Sequence, residues 1–506
     1  MPVSREFVSV TIIETAWDTA RRGLKDRRPT GWPSGLGAAI RYNGDDKPIM
    51  KMVGHVHPAR WGLNPVELDL TTEQHKQDTE VGSYFVSNYP PFSVWSSDQV
   101  PAAEAALDRA ATTDAPLGLY LHIPFCRKRC KFCYFRVYTD KNADDVETYL
   151  DALGREIALY ADRPGLDGRQ FEFVYFGGGT PSFISNKQLR SLIERISKHW
   201  SWDRAREVTF ECEPGTLQKN KLKAIKEIGV TRLSLGIEHF DDEILVRNGR
   251  AHKSPEIFRA YEWARQVDFE KINVDLIAGM IGDTQEKWHD TVEKTVEISP
   301  DSVTIYQMEV PHNTVLARES SETGEPTAVA DWPTKRAWVD HAFRRFEEAG
   351  YVVSSAYTLV KPSRDGGFVY RDSLWRGADL IGTGVASFSH FGGVHYQNVD
   401  TWEGYVGALE RGELPIARAF TVSPDQLLIR ELILQMKTGR LDAGYFRDKF
   451  AVDILARFAE AFESLQQEGM AELDENSIRL TRKGLLRADS LLPRFFEPEF
   501  RNIRYT

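Results

Sequence analysis

The chain has 506 residues, more than one hydrophobic core usually serves, so two or three domains are expected. Its 64 Lys and Arg against 74 Asp and Glu leave a formal net charge of −10. That balance argues against a general nucleic-acid binder, because neutralising phosphates takes a basic surface, and it leaves small molecules or proteins as the expected partners.

The N-terminus has no apolar signal segment, and no run of about 18 uninterrupted apolar residues occurs, so the expectation is a cytoplasmic protein without a membrane span. Four cysteines are too few for a disulfide framework. Residues 1–110 are rich in turn signals, as in Pro29-Thr-Gly-Trp-Pro-Ser-Gly35 and Ser87-Asn-Tyr-Pro-Pro-Phe92, and read as an extension wrapping the main domain. From Gly118 short apolar runs alternate with amphipathic stretches. Strands are expected at 117–122, 171–176, 208–211, 232–236, 272–276 and 303–308, with helical stripes such as Leu189, Leu192, Ile193 and Ile196 between them.

Six such units predict an α/β fold, a partial (β/α)6 barrel within residues 111–400, with its sites at the C-terminal ends of the strands. Residues 401–506 read as a separate winged-helix-like α+β domain. Helices begin near Pro424, the alternating run from Met470 to Leu480 forms a hairpin, and a further helix follows. In so acidic a chain this domain suits a lid or docking role better than DNA binding.

Three of the four cysteines lie in His122-Ile-Pro-Phe-Cys126-Arg-Lys-Arg-Cys130-Lys-Phe-Cys133-Tyr-Phe, a C-x3-C-x2-C spacing. One loop of this kind can ligate three irons of a cubane and leave the fourth open, whereas a zinc site takes four ligands and no further Cys or His completes one here. Phe176-Gly177-Gly178-Gly179-Thr180-Pro181 follows the second strand, where glycines let backbone N–H groups approach a ligand. Glu211, Glu238 and Asp275 stand at the ends of the third, fourth and fifth strands, placed to accept from hydroxyl or ammonium groups, and Arg250 could grip a carboxylate. Cys212 alternates to the opposite face as a buried thiol, and His239 and His252 are candidate supporting groups or proton donors. Arg127, Lys128, Arg129 and Lys131 interleave with the cysteines as a cationic patch that would steer an acidic one-electron donor.

This ordered set resembles the radical S-adenosylmethionine (SAM) proteins. Within them it resembles the HemN-like family of oxygen-independent coproporphyrinogen III oxidases, to which heme chaperones, methyltransferases and cyclopropanases are related. The resemblance runs from about Leu117 into the C-terminal domain. It implies a [4Fe-4S] cluster on Cys126, Cys130 and Cys133, one or two bound SAM molecules, two being the expectation, and a flavodoxin- or ferredoxin-type electron donor. The implied SAM contacts are Tyr120, Phe132, Gly178, Gly179, Thr180, Glu211, Glu238, Arg250, Asp275, Gln307 and Phe388. The implied chemistry is reduction of SAM to a 5′-deoxyadenosyl radical that abstracts hydrogen from an unactivated carbon.

Three departures point away from porphyrinogen decarboxylation. Phe135 stands where those oxidases continue with a fourth cysteine, Glu238 where they usually carry Gln, and Glu213-Pro214-Gly215 where Asp/Asn-Pro-Arg is characteristic. The chaperone branch shares an aromatic at the Phe135 position but usually begins almost at the cysteine motif. The leading expectation is therefore methylation or cyclopropanation of a small biosynthetic intermediate, with coproporphyrinogen III oxidation or heme delivery as alternatives.

Overall fold

The computed structural model describes residues 85–110, 115–362, 367–501 and 503, and the backbone of one antiparallel pair, Ala39–Tyr42 with Pro48–Lys51. Apart from that pair, the expected wrapping extension up to residue 84 lies outside the described residues. The chain divides into Met1–Thr72 and Glu73–Thr506, and everything below concerns the second unit.

The six expected strands form: β1 (Leu117–Ile123), β2 (Phe171–Gly178), β3 (Glu207–Cys212), β4 (Arg232–Glu238), β5 (Lys271–Ala278) and β6 (Ser302–Gln307). They pair parallel in that order, in registers such as Leu119 with Val174 and Val274 with Val303. Nearly every position in them is buried, as it must be for parallel strands covered on both faces. The covering helices begin where the sequence supplies caps. Asn142 and Asp145 form a capping box for Ala143–Ala161, and Ser185 with Gln188 does the same for Asn186–Ile196. The second of these helices buries Leu189, Leu192 and Ile196, three residues of the expected stripe.

The sheet continues past both ends of the parallel set. Beyond β6 come β7 (Val352–Val353) and β8 (Thr358–Val360). Beyond β1 come β9 (Asp379–Thr383), β10 (Phe388–Phe391), β11 (Val394–Asn398) and β12 (Ile416–Thr421). The order is β12-β11-β10-β9-β1-β2-β3-β4-β5-β6-β8-β7, with β9 parallel to β1 and the outer strands antiparallel. No pairing joins β12 to β7 among the described residues, so the sheet is open. β12 lies within the region assigned from sequence to the C-terminal domain, yet it pairs with β11, so the main sheet ends after Thr421 and not near residue 400. After it, helix Pro424–Met436 leads to a small sheet of β13 (Arg440–Asp442), β14 (Ala471–Leu473) and β15 (Ser477–Leu480), in which β14 and β15 are the expected hairpin. Among the described residues no helix is long and apolar enough to cross a membrane.

One buried ion pair ties these parts together. Lys437 Nζ lies 2.9 Å from Asp489 Oδ1 and 3.7 Å from the centre of the Phe85 ring, and it donates to the Val86 carbonyl. Asp489 also accepts from Val86 N at 2.9 Å and from the Tyr357 hydroxyl. Burial holds the Lys437 ammonium below its usual range, so the carboxylate opposite it is what keeps the charge tolerable. Lys437→Met is expected to cost about 3–5 kcal/mol, because Asp489 is left buried and uncompensated, while adding Asp489→Leu should recover most of the loss. Urea unfolding of the three proteins measures this. A double variant no more stable than the single one would show that the pair is not the source of the cost.

Candidate active site

β1 delivers the cysteine loop to the C-terminal end of the sheet. Phe125, fully buried against Tyr149 and Trp402, anchors its start. Cys126 N donates to Tyr138 O at 3.0 Å and Tyr138 N to Pro124 O at 2.7 Å, which closes the loop at its base. Farther along, Lys131 N donates to Asn248 O at 3.0 Å and Leu316 N to Lys131 O at 3.1 Å. Gly249, at φ +80°, lets the segment after β4 pass beneath, since a Cβ there would stand 3.1 Å from Arg129 O and 3.3 Å from Cys130 Cα.

Two of the three sulfurs have side-chain donors. Thr180 Oγ1 donates to Cys126 Sγ at 3.4 Å, and Arg250 Nη1 donates to Cys130 Sγ at 3.3 Å. All three cysteines are free and partly buried. Burial pushes the Cys126 thiol up to about 11 and the Cys133 thiol to about 12, so a metal group binding here must displace their protons. Among the described residues no three His, Cys, Asp or Glu side chains converge on one ion. Thiolates that serve three different irons of a cubane stand farther apart than the ligands of one ion, and the all-sulfur donor set suits iron. The residues therefore fit a cluster with one open iron.

The glycine strand end is pressed against this loop. Gly178 takes φ +114°, and a Cβ on it would meet the His122 ring at 2.6 Å; one on Gly179 would meet the Pro124 carbonyl carbon at 2.7 Å. Their N–H groups are already engaged: Gly178 N donates to Glu211 Oε2 at 3.1 Å and Gly179 N to Ile123 O at 2.9 Å. The glycines thus serve close backbone packing, and the expectation of amides open to a ligand is not met. Glu211 also accepts from the Tyr175 hydroxyl at 2.7 Å. The Tyr175 ring stacks on Tyr120, whose hydroxyl lies 3.3 Å from His122 Nδ1.

Glu238 sits at φ +64° where β4 shifts register against β5. A left-handed non-glycine residue at a bulge stores strain that the surroundings must sustain, a pattern concentrated at functional sites. It faces Arg250 at 3.5 Å, and Arg250 also donates to the Gly236 carbonyl, while its buried Nε has no hydrogen-bond partner. Asp275 accepts from Ser234 Oγ at 2.8 Å and Asn273 Nδ2 at 2.9 Å. Burial first, and the neighbouring acids second, raise Glu238 to about 7; burial and Asp275 likewise raise Glu211 to about 7. Burial raises Asp275 too. Glu211 and Glu238, held short of full ionisation near neutral pH, make with Asp275 an acidic receptacle for a cation.

The structure brings Thr180 and Arg250 onto cysteine sulfurs, sets Glu238 against Arg250 and Glu211 against Gly178 N, and holds Asp275 on Ser234 and Asn273. Phe132 packs against the small cluster of Ile244, Ile277, Met280, Met308 and Leu316. Gln307 donates through Nε2 to Leu486 O at 3.3 Å. Phe388 lies against Phe92 and Trp95, with ring centres at 4.2 and 5.6 Å. Cys212 is buried, as its place on β3 suggested.

Neither histidine is a free proton donor. His239 is buried with Nε2 3.3 Å from Asp283, and Asp241 N donates to its Nδ1 at 2.9 Å. His252 is held by Glu213 and Ile237 O. Sequence reasoning missed Tyr175, Glu213 and the exposed Tyr306. A polar-tipped aromatic just before the glycine run was the available signal for the first.

Residues 120–295 match the Radical SAM superfamily, and residues 422–487 match the HemN C-terminal domain. The chain is 27% identical over 424 residues to the oxygen-independent coproporphyrinogen III oxidase of Synechocystis sp., covering 79% of this chain and 89% of the relative. It is 26% identical over 390 residues to the heme chaperone HemW of Bacillus subtilis, covering 74% and 98%. The structure of coproporphyrinogen III oxidase (HemN) from Escherichia coli shares the fold, with a TM-score of 0.71 over 81% of this chain and 96% of that one at 24% identity. With the cysteine loop inside the first matched segment and the hairpin inside the second, the chain carries a radical SAM segment followed by a HemN C-terminal domain, and radical SAM proteins use a [4Fe-4S] cluster and SAM.

Proposed function

We propose that this chain is a radical SAM oxidase that acts on a tetrapyrrole-class substrate, in the manner of an oxygen-independent coproporphyrinogen III oxidase. The observation that carries this reading is the 27% identity to such an oxidase over 424 residues, 89% of its length, together with the matched HemN C-terminal domain. Methylation or cyclopropanation, favoured on sequence grounds, takes second place, since the relatives described above are named for oxidation or heme delivery. It keeps the support of the three departures, the exposed Phe135 where the oxidases continue with a thiol, Glu238, and Glu213-Pro214-Gly215.

In this reading Cys126, Cys130 and Cys133 hold the cluster. Bound cluster and SAM together supply a one-electron route to hydrogen abstraction. The chain's own groups bind and orient: Arg250 is the partner for a SAM carboxylate, and Glu211, Glu238 and Asp275 accept from its ammonium or ribose hydroxyls. Tyr120, Phe132, Gly178, Gly179 and Thr180 are assigned to the remaining SAM surface by the resemblance, as are Gln307 and Phe388, which here meet Leu486 and the Phe92 and Trp95 rings instead. Two SAM molecules belong to this reading, as the resemblance implies. The small-molecule substrate enters beside the exposed rings of Tyr134, Phe135 and Tyr306.

Anaerobic turnover of coproporphyrinogen III with methyl-labelled SAM tests the reading. The divinyl product without label in it is expected, and Cys126→Ala, Cys130→Ala and Cys133→Ala should abolish both iron-sulfur absorption and turnover while Cys212→Ala keeps them. Label entering the product, or stoichiometric heme uptake with no SAM cleavage, would overturn it.

The buried acids give a pH signature. Glu211 and Glu238 hold their protons to about 7 in the folded protein, against an ordinary value of 4.5. Below the ordinary value both states are protonated and the stabilising contribution is fully present. As pH rises toward about 7 the unfolded chain releases protons that the folded one retains, and stability falls. The Glu211→Gln/Glu238→Gln protein should therefore show a flatter decline in chemical denaturation across that window. SAM, being cationic, favours the ionised acids, so wild-type affinity should rise with pH through the same range and the variant's should not. Parallel slopes in calorimetric titrations would refute the assignment.

A further expectation concerns the electron donor. Of the four cations in the loop, Arg127 pairs with Glu213, Arg129 donates to Cys133 O and Lys131 pairs with Glu319. Lys128 is exposed and makes no ion pair with the described residues. An acidic flavodoxin would be steered chiefly by that charge, so Lys128→Glu should slow its reduction of the cluster at low salt and leave reduction by dithionite and the iron content unchanged. Unaltered flavodoxin kinetics would exclude the steering.

A further inference from the structure

Arg127 directly follows the first cysteine, and its side chain reaches away from the other loop cations. Its Nε and Nη2 donate to Glu213 Oε2 and Oε1 at 3.1 and 2.9 Å, a two-pronged match of guanidinium to carboxylate. Glu213 lies in the turn after β3 with its side chain only 10% exposed. The same Oε1 is 3.0 Å from Nδ1 of the buried His252, and Ser182 Oγ accepts from Glu213 N at 3.2 Å, so the carboxylate is fixed before Arg127 arrives.

The guanidinium fills a space that the sequence leaves open. A Cβ on Gly215 would stand 1.9 Å from Arg127 Nη2 and 2.9 Å from its Cζ. Gly215 is not among the glycines with positive φ, so its backbone does not call for glycine; a side chain there would push aside the tip of Arg127 and press on Glu213 Oε1 at 2.9 Å, which breaks the pair while leaving the turn intact. Among the described residues, no backbone N–H from Arg127 to Cys130 donates to another backbone group, although Cys126 N and Lys131 N both do. Apart from Cys133 N donating to the Cys130 carbonyl at 3.2 Å, side chains secure that stretch among the described residues. Arg250 grips its far end at Cys130 Sγ, and Arg127 grips its near end from the β3 side.

We propose that Arg127, Glu213 and Gly215 form a clamp by which the turn after β3 fixes the loop between the first two cysteines, making Arg127 and Glu213 positioning residues for the group held on Cys126, Cys130 and Cys133. The inference rests on the ligand assignment made above. Outer partners of metal ligands commonly govern retention by roughly 10- to 100-fold, and a clamp on the ligand loop belongs in that range.

Three variants separate the tether from a mere counter-charge. Gly215→Ala keeps every charge but expels the guanidinium. Arg127→Ala removes it. Arg127→Gly/Gly215→Arg moves it onto Glu213's own turn, where it can neutralise the carboxylate but not hold the loop. The readouts are the rate of iron release from anaerobically reconstituted protein to a chelator, the electron paramagnetic resonance signature of the reduced cluster, and the melting temperature of the metal-free protein. Gly215→Ala and Arg127→Ala should release iron roughly tenfold faster or more. The relocated arginine should restore the melting temperature that Arg127→Ala loses, without restoring iron retention or the wild-type spectrum. Wild-type release in both single variants, or full recovery of retention in the relocated one, would overturn the clamp. Cys130→Ala run alongside keeps the two readings apart: iron retained there defeats the ligand assignment, whereas iron lost there but kept in the clamp variants defeats only the clamp.

Discussion

Arg250 carries a charge that no accessible pH removes, and the arrangement around the cysteine loop follows from where that charge can be matched. Its guanidinium spans Cys130 Sγ, Glu238 and the Gly236 carbonyl, so it joins the loop after β1 to the end of β4. Burial alone would make such a cation costly. Cys130, Glu238 and Glu213 outweigh that cost and hold it charged. Glu238 can face it only because β4 breaks register there and the residue accepts a left-handed backbone, so strain at one position and charge at another are parts of one arrangement. Removing the guanidinium would leave a strained carboxyl with no reason to stay where it is.

The barrel strands were legible because parallel strands buried on both faces must be written as nearly continuous apolar runs, and the six runs found from sequence end within two residues of the observed strands. The return strands were not. Ile416-Ala-Arg-Ala-Phe-Thr421 is an edge strand, mostly only half-buried, with Arg418 reaching across to Gln397 and the Phe92 carbonyl. Nothing local distinguishes such a segment from a loop. Its pairing is decided by β11, which lies some twenty residues away, and the boundary drawn near residue 400 failed for that reason.

At the site, residue type and spacing carried what depends on the local chain. The cysteine spacing, the glycine run and the acids at successive strand ends can all be read locally, and the structure brings most of them together. Gln307 and Phe388 depend instead on which distant segment arrives. Leu486 of the C-terminal domain claims the amide of the first, and Phe92 with Trp95 packs against the ring of the second, which stays partly exposed. A strand-end position is fixed by local sequence, but the neighbour it meets is a tertiary fact.

Glycine shows the same limit from the opposite side. Gly178 is required by its own backbone, since φ +114° is closed to most side chains, and its missing Cβ also admits the His122 ring. Gly215 has no such backbone demand; it leaves the space taken by a residue 88 positions earlier, whose guanidinium stands where a methyl group would be. The two read identically as letters at the ends of successive strands. Only the three-dimensional neighbour tells that one glycine shapes the chain it belongs to, while the other leaves room for a side chain that secures the cysteine loop.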